Sequence, residues 1–146
     1  MNFLRLDQLQ FEGMSHEFVG DDHQAPISIY FVDAPPGRGP VLHTHPYIET
    51  VIVQEGSGRL TVGDEERDVK PGDIVVIPEN TPHRFVNSGT TSLRQIDIHA
   101  SPRFSRRIWS RSDQACSRLR DPACNCDQPF PNCPTRMQAP LIKATR

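Results

Sequence analysis

Residues 43–53 read His43-Thr44-His45-Pro46-Tyr47-Ile48-Glu49-Thr50-Val51-Ile52-Val53. Two histidines stand two residues apart, a glutamate follows four residues after the second, and a β-branched run comes next. On an extended chain, side chains two apart share a face. His43 and His45 therefore point the same way, and Glu49, Val51 and Val53 do likewise on the next stretch. If the valines face a core, Glu49 faces it too. A bare carboxylate inside a β-barrel costs several kcal/mol or neutralises itself. A cation held by Glu49 and the two histidines removes that cost. The same reasoning reaches His83, which shares a face with Phe85 and follows the turn Pro78-Glu79-Asn80-Thr81-Pro82.

Around this stretch the pattern is β. Ile27, Ile29 and Phe31 alternate with Ser28, Tyr30 and Val32, and further strand-like runs cover 47–53, 58–62, 66–70, 73–77, 83–86 and 93–99. Gly63-Asp64 reads as a hairpin turn. The first 100 residues hold 8 prolines, mostly in the proposed turns. Short strands between Gly/Pro turns, without a helical period, predict an all-β sandwich or barrel. Residues 1–26 read as short or irregular structure.

The 146-residue chain is long enough for one domain with one core. Its net charge of −2 hides an asymmetry. Residues 1–100 carry 7 Lys/Arg and 15 Asp/Glu, and residues 101–146 carry 9 and 3. That shift marks a candidate boundary. The expected organisation is an N-terminal segment over 1–24, a barrel over 25–104, and a basic, irregular or disordered tail over 105–146. All four cysteines, Cys116, Cys124, Cys126 and Cys133, lie in that tail, and their spacing fits no common zinc pattern. No apolar run is long enough to span a bilayer and no signal pattern opens the chain, so the expectation is a soluble, cytoplasmic protein with no membrane partner. The tail arginines lack aromatic interleaving, so no nucleic-acid partner is expected either.

Three imidazoles and a carboxylate suit Fe, Mn, Ni, Cu, Co or Zn, and suit Ca or Mg poorly. Four protein ligands on an octahedral ion leave two positions for water or substrate, as in catalytic rather than closed sites.

These residues also carry a resemblance. Gly37, five residues, His43-Thr44-His45, three residues, Glu49, six residues and Gly56 fill every position of the first motif of the cupin superfamily. Gly72, Pro78, His83 and Asn87 fall at the spacings of its second motif, with Asn80 where the motif has glycine. Asn is the non-glycine residue that best tolerates left-handed backbone. The chain resembles the small single-domain cupins over about residues 25–100. The resemblance implies a double-stranded β-helix, or jelly roll, with one divalent transition metal bound inside the barrel by His43, His45, Glu49 and His83. It also implies a homodimer paired through outer strands.

Tyr47 shares the face of Glu49 and reads as either a ligand contact or a rim aromatic. Arg84 reads as surface. Arg94, Ile96 and Ile98 share one face, and if that face is interior Arg94 meets an anionic substrate. His16 and His23 read as solvated, and His99 as surface or interface. Phe31, Val51, Val53, Val75, Ile77 and Phe85 read as core. The expected function is a divalent-metal-dependent enzyme on a small molecule, of oxygenase, isomerase, epimerase or decarboxylase type. The competing expectation is a small-ligand or sugar-binding module without turnover. No residue stands out as a dedicated acid or base.

Overall fold

The β-branched runs and the turns between them build eleven strands among the described residues. The computed structural model describes residues 3–110 and residue 113. The chain divides into two units, Met1–Trp109 and Ser110–Arg146. In the second, the Ser110 N–H donates to Asp113 Oδ2 at 2.8 Å; the four cysteines lie outside the described residues. Every element below belongs to the first unit.

The strands are β1 (Gln10–Glu12), β2 (Ser15–Phe18), β3 (Ser28–Ala34), β4 (His43–Thr44), β5 (Glu49–Glu55), β6 (Gly58–Val62), β7 (Glu65–Val69), β8 (Ile74–Ile77), β9 (His83–Asn87), β10 (Leu93–His99) and β11 (Arg107–Ile108). A 3-10 turn, Leu6–Gln8, and a one-turn helix, Gly20–His23, complete the elements. The strands form two antiparallel sheets, ordered β1-β2-β3-β10-β5-β8 and β11-β4-β9-β6-β7. Neighbours distant in sequence, such as β3 with β10 and β4 with β9, make the crossings of a jelly roll. The all-β jelly roll expected from the sequence is the fold observed.

The two inner faces meet over an apolar core. Val32, Ala34, Val51, Val53, Ile77 and Leu93 come from the larger sheet, and Leu60, Val69 and Phe85 from the smaller. Burying each of the larger side chains stabilises the fold by about 1.5–3 kcal/mol. Phe31 belongs instead to the outer face, half-buried, because Val32 and Ala34 take the inner parity of β3.

Two backbone positions confirm the turn reading. Gly56 has φ +81°, and a Cβ there would lie 2.4 Å from the Ser92 carbonyl oxygen. Asn80 has φ +57°, so asparagine does take the left-handed position where the motif has glycine. The Gly63-Asp64 hairpin also forms, pairing Val62 with Glu65.

Residues 10–18, expected to be irregular, form a hairpin that extends the larger sheet through β2–β3 pairing. Strands of three and four residues are too short for a period to show in sequence. At the other end, β11 pairs with β4, and the Trp109 N–H donates to the Leu42 carbonyl at 2.9 Å.

The interior face of β10 is the reverse of the one its apolar residues suggest. Leu93, Gln95, Asp97 and His99 are buried inside, while Arg94 is exposed outside and paired with Asp33 and Glu55. Ile96 and Ile98 face outward because the outer face of this sheet is itself apolar, with Phe31 and Ile52 beside Ile96 and Ile29 beside Ile98. Arg94 therefore does not reach the barrel interior.

Candidate metal centre

The four motif residues arrive from four places in the chain. His43 opens β4 and His83 opens β9, and the two are direct cross-strand partners. Glu49 opens β5, between Ile77 of β8 and His99 of β10. His45 lies in the extended segment before β5, where its carbonyl accepts the Asn80 N–H at 2.7 Å. That bond ties the second-motif turn to the first motif. Behind His83, the Asn87 amide donates to the carbonyls of Ala34 at 2.7 Å and Thr91 at 2.8 Å, and its oxygen accepts the Gly89 N–H. Asn87 thus closes the turn after β9 with its own side chain fully used.

His43, His45, Glu49 and His83 are all buried, and their candidate ligand atoms lie within 4.8 Å of one another. The parity argument holds: Glu49, Val51 and Val53 do share the inner face of β5. Glu49 Oε2 lies 2.8 Å from His83 Nε2 and 3.3 Å from His45 Nε2. The second contact is close but poorly aligned, and His45 Nε2 is a buried nitrogen without a hydrogen-bond partner.

Each imidazole is oriented from behind. The carbonyls of Val41, Ser105 and Thr81 lie against Nδ1 of His43, His45 and His83. A carbonyl can only accept, so each Nδ1 carries a proton and each Nε2 faces the centre; those of His43 and His45 present a lone pair, while that of His83 donates to Glu49. This backing by a hydrogen-bonded shell is what a histidine metal ligand needs. With three Nε2 atoms turned inward, one carboxylate and an orphaned buried nitrogen, the residues present fit a transition-metal ion.

Protonation energetics agree. Burial, reinforced by the neighbouring His83, lowers His43 to about 4, so its imidazole is neutral at physiological pH. Burial works to raise Glu49, but the close His45 imidazole and the hydrogen bond from His83 outweigh it and hold the carboxylate ionised. For His83 burial pulls downward, yet the Glu49 carboxylate and the Thr81 carbonyl hold it above its ordinary value. In the metal-free barrel His83 is thus asked to donate from both nitrogens. An ion at the centre removes that conflict, because Nε2 then needs no proton.

Residues 30–99 match the cupin domain family. The barrel is a cupin domain. The chain is 38% identical over 61 residues to an uncharacterized protein of Methanocaldococcus jannaschii, covering 41% of this chain and 49% of that one. It therefore spans about half the length of the curated relative it matches. Among solved structures, a cupin-like protein of Thermotoga maritima has a TM-score of 0.57 at 23% identity, covering 68% of this chain and 79% of that one. A variant of Bacillus subtilis oxalate decarboxylase has a TM-score of 0.64 at 20% identity, covering 72% and 31%. At these identities the structural likenesses establish the fold, and the buried His/Glu cluster fits a cupin metal site.

The ligand cluster borders a cavity of about 310 Å³. Its far wall is apolar, with Val32, Val51, Leu60, Ile77 and Phe85, and its rim includes Tyr30 and the exposed Arg84 and Arg106. Arg84 is on the surface, as its parity indicates. Residues 104–108 cross beside the site. Phe104 packs against Tyr30, His45 and His99, with ring centroids 4.8–5.3 Å apart. Tyr47 stacks on His45 with an interplanar angle of 7° and uses its hydroxyl on Ser105, so it acts as a rim aromatic.

The sequence suggests a surface or interface position for His99, whereas it is 2% exposed and lies edge-on to His45 at 4.9 Å. Burial lowers it to about 4. Asp97, not singled out at all, lines the same cavity. The signal that could have found both is parity: Leu93, Gln95, Asp97 and His99 alternate strictly through β10. His16 and His23 are half-buried rather than solvated, packed on Phe11 at 5.0 Å and Phe18 at 4.7 Å.

Proposed function

We propose that this cupin is a divalent-metal-dependent enzyme on a small molecule, with His43, His45, Glu49 and His83 as the ligands. The observation that carries the reading is the uniform orientation of the three imidazoles, Nδ1 to backbone carbonyls and Nε2 inward. A bound transition metal would supply Lewis acidity or O2 chemistry at its two remaining positions. The chain's own contribution is to fix the donor set, keep one carboxylate ionised and exclude bulk water with Phe104 and the apolar wall. The cavity volume lies at the lower end of the range for ligand sites, which favours a small substrate. Oxygenase, isomerase, epimerase and decarboxylase chemistries all use such an open centre.

The test is reconstitution. Chelator-treated, untagged protein is mixed with Mn, Fe, Co, Ni, Cu or Zn, desalted, and assayed for metal and for substrate-dependent turnover. The expected result is about one ion retained per chain and a rate that disappears in His45→Ala. Retention of no ion would refute the reading; retention without any metal-dependent rate across oxidase, isomerase and decarboxylase substrates would leave a binding module.

We also propose a homodimer through the outer face of the larger sheet. Its edge strand β8 exposes Ile74 at 65% and Val76 at 61%, continuous with the half-buried Ile52 and Ile96. A long apolar edge invites pairing. Light scattering should give twice the chain mass, reverting to the chain mass in the double variant Ile74→Asp/Val76→Asp; a monomeric parent would contradict it.

A further inference from the structure

The inner face of β10 carries three polar side chains in a row, and none belongs to the ligand set. Gln95, Asp97 and His99 are 1%, 6% and 2% exposed. Asp97 and His99 border the cavity together with the four ligands. The Gln95 amide donates to Asp97 Oδ1 at 2.7 Å, while its own oxygen is buried without a partner. The amide therefore holds the Asp97 carboxyl in one orientation at the expense of a hydrogen bond of its own. His99 Nδ1 is likewise buried without a partner. A core of Val32, Val51 and Leu60 has no structural need for such a group.

The charges in the cavity are one-sided. Glu49 and Asp97 are its buried carboxyl groups, and among the described residues no lysine or arginine is buried. Its basic residues, Arg84 and Arg106, are exposed at the rim. A dianion held deep in the cavity would face the ionised Glu49 with no buried lysine or arginine beside it among the described residues. A neutral hydroxyl meets no such penalty, and it can donate to Asp97 whichever way the carboxyl proton stands.

We propose that the cavity beyond the metal ligands is a subsite for an uncharged, hydroxyl-bearing small molecule, such as a short hydroxy-ketone or polyol. Asp97 accepts a hydrogen bond from one of its hydroxyls and so determines specificity, and Gln95 is the residue that positions Asp97. The inference rests on the metal reading above, since the rest of the molecule would be held at the ion.

The test uses full-length protein loaded with Co(II), with dihydroxyacetone and oxalate as probes and the visible absorption of the ion as readout. Cobalt content and melting temperature are measured alongside. In the parent, dihydroxyacetone is expected to change the spectrum saturably. In Asp97→Leu its half-saturation should rise about tenfold or more, while that of oxalate stays the same or falls. Asp97→Asn keeps an acceptor oxygen and removes the carboxyl group, so it should retain most of the dihydroxyacetone response and leave oxalate binding the same or tighter. This second variant decides the matter if Asp97→Leu does not fold. A parent that ignores dihydroxyacetone, or variants in which both probes shift together, would overturn the proposal with the metal centre intact. A parent that retains no cobalt would overturn the metal reading, and this proposal with it.

Discussion

Replacing Glu49 by Gln separates metal binding from folding. The side chain keeps its shape and one acceptor oxygen but loses its charge. In the metal-free barrel the carboxylate accepts from His83 at 2.8 Å, with both groups at most 6% exposed. Deleting one partner of a buried pair outright costs about 3–5 kcal/mol. Gln still accepts from His83, so what is lost is the difference between a charged hydrogen bond, about 1.5–3 kcal/mol, and a neutral one, about 0.5–1.5 kcal/mol. The metal-free variant should therefore be only about 1 kcal/mol less stable, a fall in melting temperature of about 4–8 °C. Metal retention should suffer far more. Losing a group that merely backs a ligand costs about 10–100-fold in affinity, and Glu49 would be a ligand itself, so the loss should be at least about 100-fold. The assay is metal content after equilibration at a buffered free-ion concentration that half-saturates the parent, with melting temperatures from the same samples. Equal metal content in Glu49→Gln and parent would refute the argument. So would a variant that has lost its metal only because it no longer folds.

Three further outcomes are expected. Burial, with the Glu49 charge behind it, raises the Asp97 carboxyl well above the ordinary carboxylate range. The folded protein then keeps a proton that the unfolded chain releases, so this group's contribution is full below about pH 4 and is lost as pH rises toward its folded value. Asp97→Asn should lack that slope and melt higher than the parent at pH 7 in metal-free samples; parallel melting curves from pH 4 to 7 would sink the assignment. The opposite slope from Glu49 is present in both proteins and cancels in the difference. Tyr47→Phe removes the two hydrogen bonds to Ser105, at 2.9 and 3.1 Å. At about 1–2 kcal/mol, that should speed hydrogen exchange at the Ser105 amide about tenfold, and an unchanged rate would show that the segment is held by Phe104, β11 and the His45 bond to the Ser105 carbonyl. Gly56→Ala combines left-handed backbone with a Cβ 2.4 Å from the Ser92 oxygen, so it should cost about 1–3 kcal/mol in a denaturant titration; a neutral result would mean that the loop after Gly89 yields freely.

The sequence by itself determined the class of fold and the four residues, His43, His45, Glu49 and His83, that cluster at the candidate metal centre. Alternation carried the strands, glycine and asparagine at left-handed positions carried the turns, and His43, His45 and Glu49 share a face by period alone. Those signals are local, and local geometry is legible in sequence. Only the tertiary structure decided which face of β10 is inside. Its outward residues, Ile96 and Ile98, are more apolar than its inward ones, because the outer face of the sheet is apolar and the inner face lines a polar site. Alternation gives parity but not direction when both faces of a central strand are partly covered. For that reason the sequence leaves open whether Arg94 faces inward, and it does not reveal His99 and Asp97 as cavity residues. The return of residues 104–109 over the metal centre was equally hidden, since β11 pairs with β4 across more than sixty residues of chain. No local pattern in Arg107-Ile108 announces that contact; it exists because the barrel brings an unpaired strand edge to meet it.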